Sequence, residues 1–231
     1  METTEAIMTL RDVSAGYDWR NIVSGISVSI CADSFVGIVG PNGGGKTTIL
    51  RVMLGLLKPT HGSVWRRSGL KIGYMPQVVD IDHEFPISVK DVVLMGQMSG
   101  HRLFVGRESR RKAEELIEMA RLGAVADRKI GEISGGQRQR AMLCRALMSE
   151  PDLLIMDEPA TYMDRNSETT LQKMLPSLSQ KMAIVMVSHD LESVMSMAKE
   201  VILINGTMRR VSSKNMPHHN PDEYFIHSRQ S

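Results

Sequence analysis

Residues 40–48 read Gly-Pro-Asn-Gly-Gly-Gly-Lys-Thr-Thr and satisfy every fixed position of the pattern G-x-x-x-x-G-K-[ST]. Glycines let a backbone curl tightly enough to aim successive N–H groups at one anion. Gly40, Pro41, Asn42, Gly43, Gly44 and Gly45 are therefore expected to wrap the phosphates of a nucleoside triphosphate. Lys46 adds a full positive charge for the β- and γ-phosphates, and Thr47 offers a hydroxyl to Mg²⁺. Thr48 continues into a helix whose N-terminal dipole would face the same phosphates.

A second set of chemical groups follows residues 153–156, Leu-Leu-Ile-Met, where Asp157 and Glu158 close an apolar run. In a parallel α/β sheet such strand ends face the ligand crevice. One carboxylate there can hold Mg²⁺ through water, and its neighbour can orient or deprotonate an attacking water. His189 follows another apolar run, residues 184–187. By spacing alone it is either an ordinary loop histidine or one that reaches a γ-phosphate. A third set, Ile133-Ser134-Gly135-Gly136-Gln137-Arg138-Gln139-Arg140, opens a helix. Ser134 and Gln137 make an S-x-x-Q capping box, and two glycines beside a helix N-terminus also suit an anion.

These groups need elements to hold them. Residues 35–39 read as a short buried strand before the glycine loop, and residues 48–57 as the helix after it. Strands are expected at 7–13, 26–30, 63–65, 70–74, 153–156, 184–187 and 201–204. Between them the pattern becomes helical. Ser88, with Asp91 three residues on, caps a helix; residues 108–122 form a second, stopped by Gly123; residues 135–149 form a third. A helix over 167–178 is expected to break or kink at Pro176, and another spans 191–198. The reading is an α/β core, residues 1–87 and 150–216, interrupted by a helical insertion at 88–149. Residues 217–231 read as a loose tail, its His218–His219 pair an ordinary solvated feature.

Composition narrows the class. The chain has 231 residues, enough for a full core, and its 28 basic and 26 acidic side chains nearly balance, so nothing calls for nucleic acid. No run of about 18 apolar residues exists to span a membrane. The acidic N-terminus lacks the apolar core of a signal peptide. Cys31 and Cys144 match neither a zinc nor a disulfide pattern, which favours reduced thiols and a cytosolic location. The 18 methionines read as core filler.

Taken in order, Gly40 to Thr48, Gln77, Ile133 to Gln137, Asp157 with Glu158, Asp164 and His189 resemble the Walker A, Q-loop, signature, Walker B, D-loop and H-loop of the ATP-binding subunit of an ABC transporter. The likeness covers about residues 7–210. It departs in two places: Ile133 stands where the signature usually has Leu, and Thr161-Tyr162-Met163 replace the usual residues before Asp164. The resemblance implies a P-loop NTPase (RecA-like) core with an N-terminal antiparallel β-subdomain and an inserted α-helical subdomain. It implies ATP and Mg²⁺, with Tyr17 stacking on adenine, Thr47, Gln77 and Asp157 near the metal, Glu158 acting on water, and Lys46 and His189 on the γ-phosphate. It further implies a head-to-tail homodimer in which Ser134, Gly135, Gly136 and Gln137 of one copy meet the ATP of the other, with Asp164 at that junction.

A separate multi-spanning permease and a periplasmic or lipoprotein solute-binding protein would complete the machine, placing this chain on the inner face of the cell membrane. Residues 80–96 are similar to bacterial importers of zinc, manganese or iron. Haem or iron-chelate uptake is the nearest alternative, and a non-transport ABC ATPase a more distant one. A kinase or GTPase is disfavoured by the signature and by the lack of an Asn-Lys-x-Asp sequence.

Overall fold

The computed structural model describes residues 5–77, 86–97, 106–161 and 163–211. Tyr162, part of the stretch 80–96 and the tail 217–231 lie outside them. Strands β1 (Ala6–Tyr17), β2 (Arg20–Cys31) and β3 (Phe35–Val39) lead to helix α1 (Lys46–Leu54). Strands β4 (His61–Arg66) and β5 (Ile72–Met75) follow, then α2 (Val89–Met95), α3 (Arg107–Met119) and α4 (Gly135–Leu147). The chain continues through β6 (Leu153–Asp157), α5 (Arg165–Ser179), β7 (Ala183–Ser188) and α6 (Leu191–Met197). A hairpin of β8 (Glu200–Asn205) and β9 (Thr207–Val211) completes it. These elements gather into two compact units, one of Met1–Leu70 with Ser179–Ser231 and one of Lys71–Leu178. Their borders differ from the expected 87/88 and 149/150.

The first unit holds two sheet parts. Strands β2, β1 and β4 form an antiparallel sheet in that order. Along β2 the buried Ile26, Val28 and Ile30 alternate with the exposed Ser27 and Ser29, the period-two pattern of a sheet with one wet face. The β1–β2 turn puts Asp18 and Trp19 at φ 49 and 63, the positive values a two-residue hairpin turn requires. The other part sets β3 between β7 and β8, all parallel, with β9 antiparallel to β8. Every residue of β3 and β7 is buried, as expected of parallel strands covered on both faces.

The second unit pairs β5 with β6 in parallel and contains α2, α3, α4 and α5. Ser88 caps α2 by accepting the Asp91 N–H at 3.1 Å, as expected.

The structure differs from expectation in three places. Of the break or kink expected at Pro176, the break is absent: α5 runs on to Ser179, because exposure of the proline on the outer face leaves Leu171, Met174, Leu175 and Leu178 buried as a continuous apolar stripe. Helix α3 ends at Met119, capped by Ala120, and Gly123 instead begins a 3₁₀ turn. The strands expected at 63–65 and 70–74 form as β4 and β5, β4 pairing with β1 and β5 with β6. Strand β9 was not expected, although Asn205-Gly206 is a strong hairpin signal.

Candidate nucleotide site

In the first unit the glycine loop leaves β3 at Val39. Gly43 and Gly45 adopt φ 75 and 101, a region that L side chains avoid. Other glycines are fixed by crowding rather than by φ. A Cβ on Gly40 would lie 2.0 Å from the Ile204 carbonyl oxygen at the end of β8. The loop is also pinned through its backbone: the Gly206 N–H donates to the Gly44 carbonyl at 2.9 Å, and the Gly44 N–H to that of Pro41 at 3.0 Å. A Cβ on Gly43 would meet nothing within 4 Å, so the loop's tip, with the exposed Asn42, is open.

Lys46 is buried and folds back over this loop, its Nζ donating to the carbonyls of Gly40 at 2.8 Å and Pro41 at 3.2 Å. The ammonium is thus held against the cradle where an anion would settle. Gly45 is the N-cap of α1 and no side chain caps that helix, so its dipole is presented to the loop. Thr47 is exposed and Thr48 buried. His189 follows β7 one residue past Ser188, which pairs with Val39, so the histidine and the loop leave adjacent parallel strands at the same edge. Tyr17 is 38% exposed, and its hydroxyl accepts from Arg51 Nη1 at 2.7 Å, with the guanidinium 5.8 Å from the ring centroid. Arg51 lies on α1, which ties the aromatic ring to the helix that Lys46 begins.

The second unit carries the acids. Met75 pairs with Met156, so Gln77, Asp157 and Glu158 emerge together from one edge of the β5–β6 pair. Asp157 is 4% exposed and Glu158 8%. Glu158 sits at φ 49, a left-handed turn that no sequence feature announces. Asp164 caps α5, accepting the Ser167 N–H at 2.8 Å and the Ser167 hydroxyl at 3.2 Å. The Ser167 N–H in first place holds the Asp164 carboxyl below its ordinary range.

The capping box at 134–137 is formed as expected. The Gln137 N–H donates to Ser134 Oγ at 3.2 Å, and the Ser134 N–H to Gln137 Oε1 at 2.9 Å. Ser134 is exposed and Oγ acts as acceptor in the box, so its own proton is available to a further partner. Gly135 is half-buried and Gly136 buried. Sequence reasoning passed over the groups behind this turn. Gln139 is 1% exposed and donates through Nε2 to the Thr161 carbonyl at 3.1 Å. Arg140 is also buried, bridging the carbonyls of Gly136 at 3.3 Å and Ala120 at 2.7 Å. Desolvation lowers the pKa of its guanidinium. No pattern in the sequence marks them, since Gln139 and Arg140 read as ordinary polar residues of a helix.

The candidate metal donors are a hydroxyl, a side-chain amide oxygen and a carboxylate (Thr47, Gln77 and Asp157), hard oxygen ligands of the kind Mg²⁺ takes. Among the described residues no cluster of three His, Cys, Asp or Glu could hold a metal by itself. No helix among them is long and apolar enough to cross a membrane.

Residues 23–161 match the family model described as ABC transporter. The chain is 37% identical over 218 residues to the zinc import ATP-binding protein ZnuC of Pseudomonas savastanoi pv. phaseolicola, covering 94% of this chain and 78% of that one. Among solved structures it superposes on a metal-chelate type ABC transporter in an inward-facing conformation, with TM-score 0.85 and 24% identity over 96% of this chain and 90% of that chain. It also superposes on a dimeric ATP-binding cassette in a post-hydrolysis state with ADP and Pi, with TM-score 0.75 and 25% identity over 90% of this chain and all of that one. With the phosphate loop, the acid pair and the capped signature turn each formed in place, the chain belongs to the ABC transporter family, as one of its ATP-hydrolysing subunits.

Proposed function

We propose that this chain powers import of a divalent metal ion, zinc, manganese or iron, through a separate permease in the membrane. The observation that carries the cargo class is the 37% identity to a zinc import ATP-binding protein across 94% of the chain. Two copies would pack head to tail, as expected from a family that includes the dimeric cassette with ADP and Pi. In that arrangement Gly40 to Thr48 cradle the phosphates, Lys46 leaves its loop carbonyls to meet the β- and γ-oxygens, and Tyr17 supports the adenine. Thr47, Gln77 and Asp157 would hold Mg²⁺, which when bound neutralises phosphate charge. Glu158 orients and deprotonates the attacking water, and His189 donates to the γ-phosphate. Ser134, Gly135, Gly136 and Gln137 of the other copy complete the cage with hydrogen-bond donors and a helix N-terminus. Asp164 lies beside them at the seam.

Residues 88–149 are the segment we assign to contact with the permease, with Gln77 passing on the state of the nucleotide. The chain itself then sits on the cytoplasmic face of the membrane, and a solute-binding protein delivers the ion on the far side. Elemental analysis of a host lacking this chain tests the cargo. Cellular zinc, manganese or iron should fall and recover on re-expression. Normal levels of all three, with loss of a haem or chelate nutrient instead, would overturn the metal-ion assignment.

A further inference from the structure

Gly136 is buried, and the reason lies within its own chain. An ideal Cβ there would come 2.3 Å from Ser167 Oγ and 2.5 Å from Ser167 Cβ, with Asp164 Oδ2 at 3.7 Å. Ser167 is itself buried, and both its N–H and its hydroxyl are held by Asp164, the D-loop acid. The signature turn therefore rests directly on the cap of α5. One turn further along α4, Gln139 makes a second joint to the D-loop through the Thr161 carbonyl. Gln139 Oε1 and Thr161 Oγ1 are both buried and lack a hydrogen-bond partner among the described residues. Leaving them unpaired costs stability, which marks this joint as one kept for the position of the backbone it holds.

We propose that Gly136 is glycine because the D-loop cap fills its side-chain space, and that Ser167 and Gln139 are positioning residues that fuse the signature turn and the D-loop into one body. The proposal rests on the head-to-tail reading, in which both elements of one copy approach the ATP of the other. Joined, they arrive together, so Ser134 cannot reach the partner's γ-phosphate unless Asp164 also takes its place. A chain with a loosened joint would still bind nucleotide on its own phosphate loop but would close the dimer poorly.

The test is a rescue. Gly136→Ala should lower kcat for ATP about a hundredfold, the scale of a displacement near one ångström, while MgADP affinity stays within about twofold. Adding Ser167→Gly removes both atoms that meet the new methyl, and should restore kcat to within about threefold of the Ser167→Gly chain. Ser167→Ala keeps the Cβ at 2.5 Å and should not rescue. Should Gly136→Ala fail to fold alone, folding regained in the double variant reports the same contact. Gln139→Met supplies an independent readout, since it deletes the tether and the unpartnered oxygen together. It should lower kcat about tenfold with KM for ATP and thermal stability nearly unchanged. If the double variant stays inactive while Ser167→Gly is active, Gly136 serves substrate approach alone and the proposal fails. Normal kcat in Gln139→Met would equally remove that residue's role. A wild-type chain without ATP hydrolysis would instead sink the functional reading, and this inference with it.

Discussion

Glu158 combines a buried carboxyl with a left-handed backbone at φ 49, a conformation that costs a non-glycine residue about 1–3 kcal/mol and gathers at functional sites. Its proposed role as the group acting on water gives a direct expectation. Glu158→Gln keeps the shape and the capacity to accept a hydrogen bond but not the basicity, so single-turnover assays should show MgATP bound and hydrolysis slowed by about 10²-fold or more. Near-normal turnover would move the base elsewhere. The acid's place at a strand end was legible in an apolar run closed by two carboxylates. Its strained backbone was not, because glutamate is not a residue that marks such turns. Cys144 gives a second expectation at this scale. Burial pushes its thiol up to about 12, and its Sγ–H donates to the Leu116 carbonyl at 3.2 Å. A raised folded-state value stabilises the neutral thiol, so this contribution is complete below pH about 9 and is lost as pH rises toward about 12. Urea midpoints should therefore fall over that window more steeply in wild type than in Cys144→Ala, whose cavity lowers stability by a pH-independent offset. Parallel curves would contradict the burial argument.

At the scale of elements, local chemistry announced the caps and the buried strands. Ser88 with Asp91, and Ser134 with Gln137, form the bonds their spacing demands, because a cap depends on four consecutive residues. The break expected at Pro176 is absent because the packing of its neighbours acts against the local penalty. Four leucine and methionine side chains anchor α5 on both sides of the proline, and that packing outweighs the lost N–H. The penalty should still be present. Pro176→Ala should raise the stability of the chain by about 1 kcal/mol or more, seen as a higher urea midpoint with unchanged slope. A lower midpoint would mean the ring itself packs favourably. Long-range pairing was the least legible layer. Strands of four to six residues carry no mark of which other strand they join, and β4 and β5 went to different partners for that reason.

For the whole molecule, the reading is of one catalytic site divided between two copies. Mixing Lys46→Ala chains with Ser134→Arg chains tests this. Each homodimer should be inactive, but a mixed dimer pairs an intact phosphate loop from one chain with an intact signature turn from the other. Activity should reappear in the mixture, with mixed dimers forming about half the population if exchange is random and carrying one working site each. A mixture as inactive as its parents would count against the arrangement. The sequence order of motifs was enough to suggest this division, since the signature turn stands about ninety residues from the loop it would complement.

The phosphate loop has a further consequence in time. Among the described residues strand β3, which delivers it, pairs with β7 and β8, and the loop itself is walled by Ile204 and tied to Gly206. A ribosome releases residues 40–48 long before any of these partners exist. The growing chain therefore carries this glycine loop through most of its synthesis with only the earlier β2 residues Ile22 and Val23 to pack against it. The cradle gains its Ile204 wall and its Gly206 tie only when the β8–β9 hairpin emerges, so shaping of this loop is expected to be a late event in the folding of the chain.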